Sequence, residues 1–220
     1  MGRFLYPRLS CPYKLISLEY FNLKDTKMAD LKIAEAKTLK WEGGYCNVAG
    51  DKGGETIFGI ARNMHPSLKL WQDVDNYKSS LKPFDKSKYK ELESLCKGNG
   101  QFMESFYAFY KANFWDKIKG DEIESQEVAN ALYDFAVNSG VKKAVEKIQQ
   151  VINMFGTGTQ IAEDGILGNA TLAEINKLDG KLLCNELCNA RKAFFEEIAK
   201  KGQNAKFLKG WLNRVNDFYV

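Results

Sequence analysis

The chain has 220 residues, 45% of them hydrophobic and 27% charged, which is typical of a globular protein with one domain or two small ones. Its net charge of +4 is too weak and too dispersed for a nucleic-acid groove. One histidine and five cysteines without a CxxC pair argue against a zinc site, a disulfide framework and a serine–histidine–aspartate triad. We therefore expect reduced thiols.

Residues 1–28 form a leader ahead of the first helical pattern. Its apolar stretch is broken by two prolines and two basic residues and is followed by no small-residue cleavage site, so it lacks the pattern of a secretion signal. We interpret the leader as disordered, or as an upstream extension of a reading frame that starts at Met28. No segment has the length of a membrane span, so we expect no membrane insertion.

Residues 29–42 predict the first helix, with Gly43 and Gly44 as its stop. Glu42 therefore lies at the C-terminal end of that helix. The negative end of the helix dipole and apolar neighbours both favour the protonated form of a carboxyl there. A carboxyl that holds its proton near neutral pH is suited to act as a general acid. The plainer interpretation of Glu42 is a solvated polar residue near a helix end.

Residues 45–60 predict an irregular glycine-rich loop or a short hairpin. Asp51 follows Glu42 by nine positions, and Thr56 follows Asp51 by five. An ionised carboxylate on a tight loop can orient a water. Glycoside hydrolysis needs one protonated carboxyl and one ionised carboxylate, and Glu42 and Asp51 could supply them. Asp51 could instead cap the turn, and Thr56 could be an ordinary strand residue. Glu55, in the same loop, is expected to be exposed.

The rest of the chain is mostly helical in pattern. Helices are predicted, in chain order, at about 68–74, 89–96, 102–115, 125–139, 141–155, 170–176, 180–201 and 205–218. Strand signals are few, so the sequence predicts a mainly α fold.

Several aromatic and polar residues are candidates to line a sugar cleft, because aromatic faces and planar donors suit pyranose rings. They are Tyr45, Arg62, Tyr110 and Trp115. Core packing is the alternative for Tyr110 and Trp115. Asp134 and Asn138 share one face of a predicted helix, where they would either join a structural hydrogen-bond network or bind the polar groups of a glycan.

Two patterns together resemble glycoside hydrolase family 108: Glu-Gly-Gly-Tyr at 42–45 and Asp-x-Gly-Gly-x-Thr-x-x-Gly-Ile at 51–60. The spacing of the glutamate, aspartate and threonine is also similar to that in phage-type lysozymes. An aromatic-Asp-Phe-Ala-Val-Asn-Ser-Gly block at 133–140 and a closing Gly-Trp-x-x-Arg-Val at 210–215 match the same family. Its members include proteins named secretion activators and N-acetylmuramidases.

Residues 148–172 carry a Gln…Asp-Gly-x-x-Gly-x-x-Thr-Leu pattern that resembles small peptidoglycan-binding helical domains. Its structural interpretation is that Asp164 and Gly165 make a turn, Gly168 adopts a left-handed conformation and Asn169 caps the next helix. Further on, Arg214 is expected to connect the two halves of the protein.

The resemblance implies a lysozyme-like fold, with a catalytic region at 29–120 and a peptidoglycan-binding-like helical region at 121–217 packed against it. It implies an N-acetylmuramidase that hydrolyses the β-1,4 bond between N-acetylmuramic acid and N-acetylglucosamine. Glu42 would be the general acid, and Asp51 and Thr56 would hold the attacking water, which inverts the product anomer. If Asp51 is the nucleophile instead, the anomeric configuration is retained. No metal or other cofactor is required, because two carboxylates and a water suffice.

The expected partner is the glycan strand of peptidoglycan, with a holin or a secretion apparatus for export, and we expect a monomer. The protein would be made in the bacterial cytoplasm and would act in the periplasm or the cell wall after release, in phage lysis or in protein secretion. The alternative function is a wall-binding secretion accessory without turnover. A peptidase or amidase is disfavoured, because those reactions usually need zinc with histidine ligands or a Cys–His pair.

Overall fold

The computed structural model of the chain describes residues 28–48, 51, 53–156, 158, 160–201 and 204–220. The leader predicted at 1–28 lies outside them except for Met28. Within the described residues the fold has nine α-helices and one small three-stranded sheet, which confirms the predicted mainly α fold. The helices are α1 (Leu31–Leu39), α2 (Leu70–Ser80), α3 (Tyr89–Gly98), α4 (Gly100–Tyr110), α5 (Gln126–Ser139), α6 (Val141–Phe155), α7 (Asn169–Lys177), α8 (Gly180–Ala199) and α9 (Leu208–Asn216). None of these helices is both long and apolar enough to span a lipid bilayer.

Helix α1 is shorter than the sequence predicts. Asp30 caps its start, because the Asp30 carboxylate accepts the backbone N–H of Lys32 at 2.8 Å. The helix ends at Leu39, three residues before the predicted end. Glu42 lies in the turn that follows, and its backbone N–H donates to the Leu39 carbonyl at 3.2 Å. Glu42 therefore still lies beside the C-terminal end of α1.

The glycine-rich loop leads into a small antiparallel sheet, in the order β1 (Tyr45–Cys46), β2 (Thr56–Ile57) and β3 (Ile60–Ala61). Phe58 and Gly59 form the two-residue turn between β2 and β3, with φ values of 46° and 81°. Positive φ at both positions is the geometry of a type I′ hairpin turn. Glycine adopts it freely, whereas a phenylalanine needs support from its surroundings. That support comes from the rings of Phe102 and Phe106, which meet the ring of Phe58 edge-on.

The aromatic helix predicted at 102–115 is divided into two parts. Helix α4 begins earlier, at Gly100, and ends at Tyr110, after which Lys111–Trp115 forms a single π-helical turn. The side-chain amide of Asn113 donates to the Phe109 carbonyl at 2.8 Å. A side chain that bonds into the helical ladder in this way is a common cause of a local change in helix geometry.

Helix α5 is the centre of the fold. All its residues from 128 to 136 are buried, and it packs against α1, α6 and α8. Helix α9 in turn packs against α8. Helix α5, at the start of the helical C-terminal half, therefore lies directly against α1, the first helix of the described residues.

The turn before α7 has the structural role expected from its motif. The Gly165 N–H donates to Gln149 Oε1 at 2.9 Å, and Gln149 Nε2 donates to Asp164 Oδ1 at 3.0 Å. Gly165 takes the left-handed conformation, with φ at 75°. The prediction for Gly168 is wrong, because its φ is −82°. Asn169 is the first residue of α7 rather than its cap.

Candidate active site

Glu42 is held between the first and the last helix of the described chain. Its Oε1 accepts a hydrogen bond from Arg214 Nη2 at 2.8 Å, and the two groups form an ion pair. The side chain of Glu42 is 17% exposed, so the carboxyl is sheltered but reachable from solvent. The predicted connection of the two halves through Arg214 is confirmed.

Arg214 belongs to a buried charge network. Its Nε and Nη2 donate to the carboxylate of Asp134 at 2.8–3.0 Å. Arg191 Nη2 lies 2.6 Å from Asp134 Oδ2 and 3.4 Å from Asn138 Oδ1. Burial alone would lower the pKa of Arg214, but Asp134 and Glu42 outweigh it, so the pKa of Arg214 is raised above its ordinary value. Arg214 is therefore a permanently charged group that joins Glu42 to the core.

The hairpin turn lies close to the other oxygen of Glu42. The Tyr110 hydroxyl donates to the Phe58 carbonyl at 2.8 Å. A Cβ atom on Gly59 would lie 2.5 Å from that hydroxyl oxygen and 2.8 Å from Glu42 Oε2, so only glycine fits here. Burial, followed by the charge of Glu42, raises the pKa of Tyr110, which keeps its hydroxyl protonated and able to donate.

Asp51 and Thr56 lie at the open end of the β2–β3 hairpin, whereas Glu42 lies at its tip. Asp51 Oδ1 accepts the Gly53 N–H at 2.8 Å, and Thr56 Oγ1 donates to the Gly54 carbonyl at 3.2 Å. A Cβ atom on Gly53 would lie 3.5 Å from Asp51 Oδ1 and 3.7 Å from Thr56 Oγ1. The carboxylate and the hydroxyl therefore border the same small space. The turn-capping role weighed for Asp51 is present, and it uses one of the two carboxylate oxygens.

A pocket of about 260 Å³ opens beside Glu42, between the end of α1, the hairpin tip, α3 and α4. Its apolar lining includes Leu39, Phe58, Met103 and Phe106. A pocket lined by both apolar and charged side chains suits a sugar ring, whose faces are apolar and whose rim is polar.

The described residues also contain a larger groove, of about 540 Å³, between α6 and α8. None of the candidate site residues lines it. Across this described part of the chain, no cluster of three or more His, Cys, Asp or Glu side chains is arranged to hold a metal ion.

Tyr45 and Arg62 do not line the pocket beside Glu42. Tyr45 is buried, and its hydroxyl donates to Glu55 Oε1 at 2.6 Å. Arg62 Nε lies 2.8 Å from Glu55 Oε2, and Arg62 Nη2 lies 2.8 Å from Asp75 Oδ1. Lys78 Nζ also pairs with Glu55, at 2.7 Å. The predicted exposure of Glu55 is therefore wrong, because this carboxylate anchors a sheltered network that holds the loop in place.

The contacts of four further candidate residues are also those of structural residues. Tyr110, Trp115 and Asp134 are all buried, and the Trp115 indole N–H donates to Asp121 Oδ1 at 2.7 Å. Asn138 is partly buried and accepts from Arg191. The core-packing and network alternatives account for these positions, and direct contact with a sugar does not fit them.

Among the residues that line the pocket, Glu93 and Lys97 are two that the sequence did not single out. Glu93 Oε1 accepts the Tyr45 N–H at 2.8 Å, and a Cβ atom on Gly44 would lie 1.9 Å from that oxygen. Burial would raise the pKa of Glu93, but the hydrogen bonds from Tyr45 and Lys90 outweigh it and leave the pKa below its ordinary value. The only sequence signal for this contact is the paired glycine, which indicates a close approach without naming the partner.

Two segments of the chain match known protein families, and the chain is similar to a solved structure. Residues 35–140 match the family model described as glycosyl hydrolase 108, and residues 143–216 match the one described as a predicted peptidoglycan domain. Among solved structures, that of Brucella abortus SagA is similar, with 28% identity, a TM-score of 0.55, and coverage of 85% of this chain and 90% of that chain. No curated protein matches the chain.

Proposed function

We propose that the chain is an N-acetylmuramidase, because residues 35–140 match the glycosyl hydrolase 108 family model and residues 143–216 match the model of a predicted peptidoglycan domain. Its reaction would be hydrolysis of the β-1,4 bond between N-acetylmuramic acid and N-acetylglucosamine in peptidoglycan. We assign catalysis mainly to residues 29–120 and wall binding to residues 121–217, with Arg214 supplied by the second region to the first.

One observation carries this proposal. The Glu42 carboxyl lies at the edge of a sugar-sized pocket, with Oε1 oriented by Arg214 and Oε2 beside Gly59. A general acid must be held at a fixed place with respect to the leaving oxygen, and a carboxyl that is hydrogen-bonded to Arg214 and packed beside Gly59 meets that requirement.

In the proposed reaction, Glu42 donates its proton to the glycosidic oxygen as the bond to the sugar breaks. Asp51 accepts a proton from a water that Thr56 helps to position, and that water attacks the sugar carbon on the opposite side. Support comes from the shared space that Asp51 Oδ1 and Thr56 Oγ1 border next to Gly53. Two carboxylates and a water complete the reaction.

The place of action follows from the substrate. Peptidoglycan lies outside the cytoplasmic membrane, so we propose that the protein works in the periplasm or wall after export by a holin or a secretion apparatus. Phage lysis and protein secretion are the two settings that fit. We propose that it acts as a monomer.

A second function, wall binding without turnover, is favoured by one observation. The ion pair with Arg214 is an interaction of the charged Glu42 carboxylate, whereas a general acid needs the protonated form. Catalysis therefore requires that substrate binding alters this ion pair or that a proton reaches Glu42 before the bond breaks.

The test measures new reducing ends released from purified peptidoglycan, with the fragments identified by mass spectrometry. We expect the wild type to release muropeptides with a muramic-acid reducing end, and Glu42→Gln to lose that activity while it still binds the wall. The matched control is Glu104→Gln, because Glu104 is an exposed carboxylate on α4. If the wild type binds the wall but releases no new reducing ends, the enzymatic function is contradicted and the wall-binding accessory function is supported.

A further inference from the structure

The charges that line the pocket beside Glu42 are almost all neutralised by partners. Lys40 Nζ lies 2.7 Å from Asp217 Oδ2, and Lys90 Nζ lies 3.0 Å from Glu93 Oε2. Glu42 itself is paired with Arg214. These partners leave one lining charge, that of Lys97, to be accounted for.

Lys97 forms no ion pair within 4 Å among the residues that the structure describes. Its charge does act on Glu93, one turn earlier on α3, but Glu93 is already paired with Lys90. Lys97 Nζ lies over the ring of Phe58, 5.1 Å from the ring centroid. An ammonium over an aromatic face is attracted to the ring but keeps its full charge. Lys97 is an exposed residue in the last turn of α3, so a ligand in the pocket can reach it.

The position of Lys97 is tied to that of Glu42 through the hairpin turn. Phe58, which carries the ammonium on its ring, directly precedes Gly59, and Gly59 lies against Glu42 Oε2. A ligand that fills the pocket therefore meets both the Glu42 carboxyl and an ammonium that has no ion-pair partner of its own. Because the pocket is small, a single sugar unit would span both.

We propose that Lys97 determines substrate specificity by binding a carboxylate carried by the sugar that occupies this pocket. This inference rests on the proposed function and narrows its substrate to an acidic glycan. In peptidoglycan such a carboxylate has two sources. It belongs to the attached peptide or, on a sugar from which the peptide has been removed, to the lactyl ether, whose carboxyl the peptide otherwise holds as an amide.

The test measures binding of soluble glycan strands to the full chain in a Glu42→Gln background, where hydrolysis cannot interfere. Native strands are compared with strands whose carboxyl groups have been converted to neutral methylamides. We expect Glu42→Gln to bind native strands roughly tenfold more tightly than neutral ones, the gain expected for a hydrogen bond to a charged group. Adding Lys97→Gln should abolish that difference, and adding Lys97→Arg should restore most of it.

The control is Lys86→Gln in the same background, since Lys86 is exposed and lies outside the pocket. Strands stripped of peptide by an amidase distinguish the two sources, because this cleavage removes the peptide carboxylates and frees the lactyl carboxylate. Equal affinities of Glu42→Gln for native and neutral strands would overturn the inference. It would also be overturned if adding Lys97→Gln lowered the affinity for native and for neutral strands by the same factor. Reducing-end release by the wild type is measured on the same native strands. That activity tests the proposed function, whereas the binding measurements on the Lys97 variants test this inference.

Discussion

Arg214 Nη2 lies 2.8 Å from Glu42 Oε1, although the two residues are 172 positions apart in the chain. The same guanidinium holds Asp134 on α5. One arginine from the last helix therefore positions the candidate general acid against the central helix of the fold. The segment that matches a peptidoglycan domain thus supplies a group to the site in the segment that matches a glycosyl hydrolase.

Arg214→Gln is expected to reduce both stability and activity. Removing one partner from a buried ion-paired cluster typically costs about 3–5 kcal/mol, because the remaining charges lose their compensation. Loss of the contact also frees Glu42 to rotate, and misplacement of a catalytic group can cost about 100-fold in rate. Arg214→Lys keeps the charge but not the paired hydrogen bonds. Its stability and activity should therefore lie between those of the wild type and those of Arg214→Gln. Chemical denaturation and initial rates of reducing-end release measure both effects.

Lys209→Gln provides the comparison on the same helix, because Lys209 is exposed on α9. It should change the free energy of unfolding by less than about 0.5 kcal/mol. If Arg214→Lys were as active as the wild type, the bidentate geometry would be irrelevant to the position of Glu42.

Gly59→Ala should damage the site more than its backbone conformation alone explains. A Cβ atom there would clash with the Tyr110 hydroxyl and with Glu42 Oε2, and φ is 81°. Gly156→Ala isolates the backbone term, because φ is 61° and its Cβ would meet no atom within 4 Å. We expect about 1 kcal/mol of destabilisation for Gly156→Ala and clearly more for Gly59→Ala. Activity should fall at least tenfold only in Gly59→Ala, and equal effects of the two variants would argue against a close fit at the hairpin tip.

Local patterns predicted much of the fold but stopped short of its contacts. The helical periodicity identified α5 and α6 closely, and Ser125 caps α5 where a polar residue precedes the apolar run. The two glycines after Glu42 placed it at a helix end, and the glycine-rich loop allowed for the hairpin that is present. These features depend on residues that are close together in the sequence, so they can be predicted from it.

The contacts that define the site join residues far apart in the chain. Tyr45 and Arg62 have side chains suited to a sugar cleft, yet both are tied to Glu55 within the fold. Aromatic and charged side chains look alike in sequence whether they face a cleft or the interior. The same limit applies to Lys97, whose relation to Phe58 arises only when α3 packs beside the hairpin.

Asp51→Asn should separate the capping role of Asp51 from its proposed role as general base. An asparagine side-chain oxygen can still accept the Gly53 N–H, so the turn should persist. A neutral amide cannot take a proton from water, so activity should fall about 100-fold or more. The measurements are thermal unfolding and reducing-end release on the same preparation.

Asp85→Asn is the matched control, because Asp85 Oδ1 accepts the Ser87 N–H at 2.8 Å in the same type of cap away from the site. Both variants should keep their stability within about 0.5 kcal/mol of the wild type. Full activity in Asp51→Asn would remove Asp51 from the reaction and leave the cap as its role.

Tyr110→Phe should weaken the support of the hairpin tip. The variant loses the 2.8 Å hydrogen bond to the Phe58 carbonyl and leaves that buried acceptor without its donor. Such a loss typically costs about 1–3 kcal/mol. Tyr107→Phe, at an exposed position of the same helix, should cost much less. A difference of less than about 0.5 kcal/mol between the two variants in urea denaturation would show that the hydrogen bond does not hold the turn.

Glu35 is a buried carboxyl behind the site, 4% exposed, and its Oε1 has no hydrogen-bond partner among the described residues. Burial, followed by the charge of Asp30, raises its pKa from 4.5 to about 7. Between these two values the folded protein keeps a proton that the unfolded chain releases. The stability contributed by this group is therefore present below pH 4.5 and is lost as the pH rises towards 7.

Glu35→Gln should remove this pH dependence, because glutamine keeps the shape of the protonated carboxyl and cannot ionise. The difference in unfolding free energy between Glu35→Gln and the wild type should be near zero at pH 4 and should favour the variant by about 3 kcal/mol above pH 7. Urea denaturation from pH 4 to pH 8 measures it. Glu196→Gln, at an exposed position of α8, should give a flat difference over the same range. A flat difference for Glu35→Gln as well would show that Glu35 titrates in the folded protein as it does in the unfolded chain.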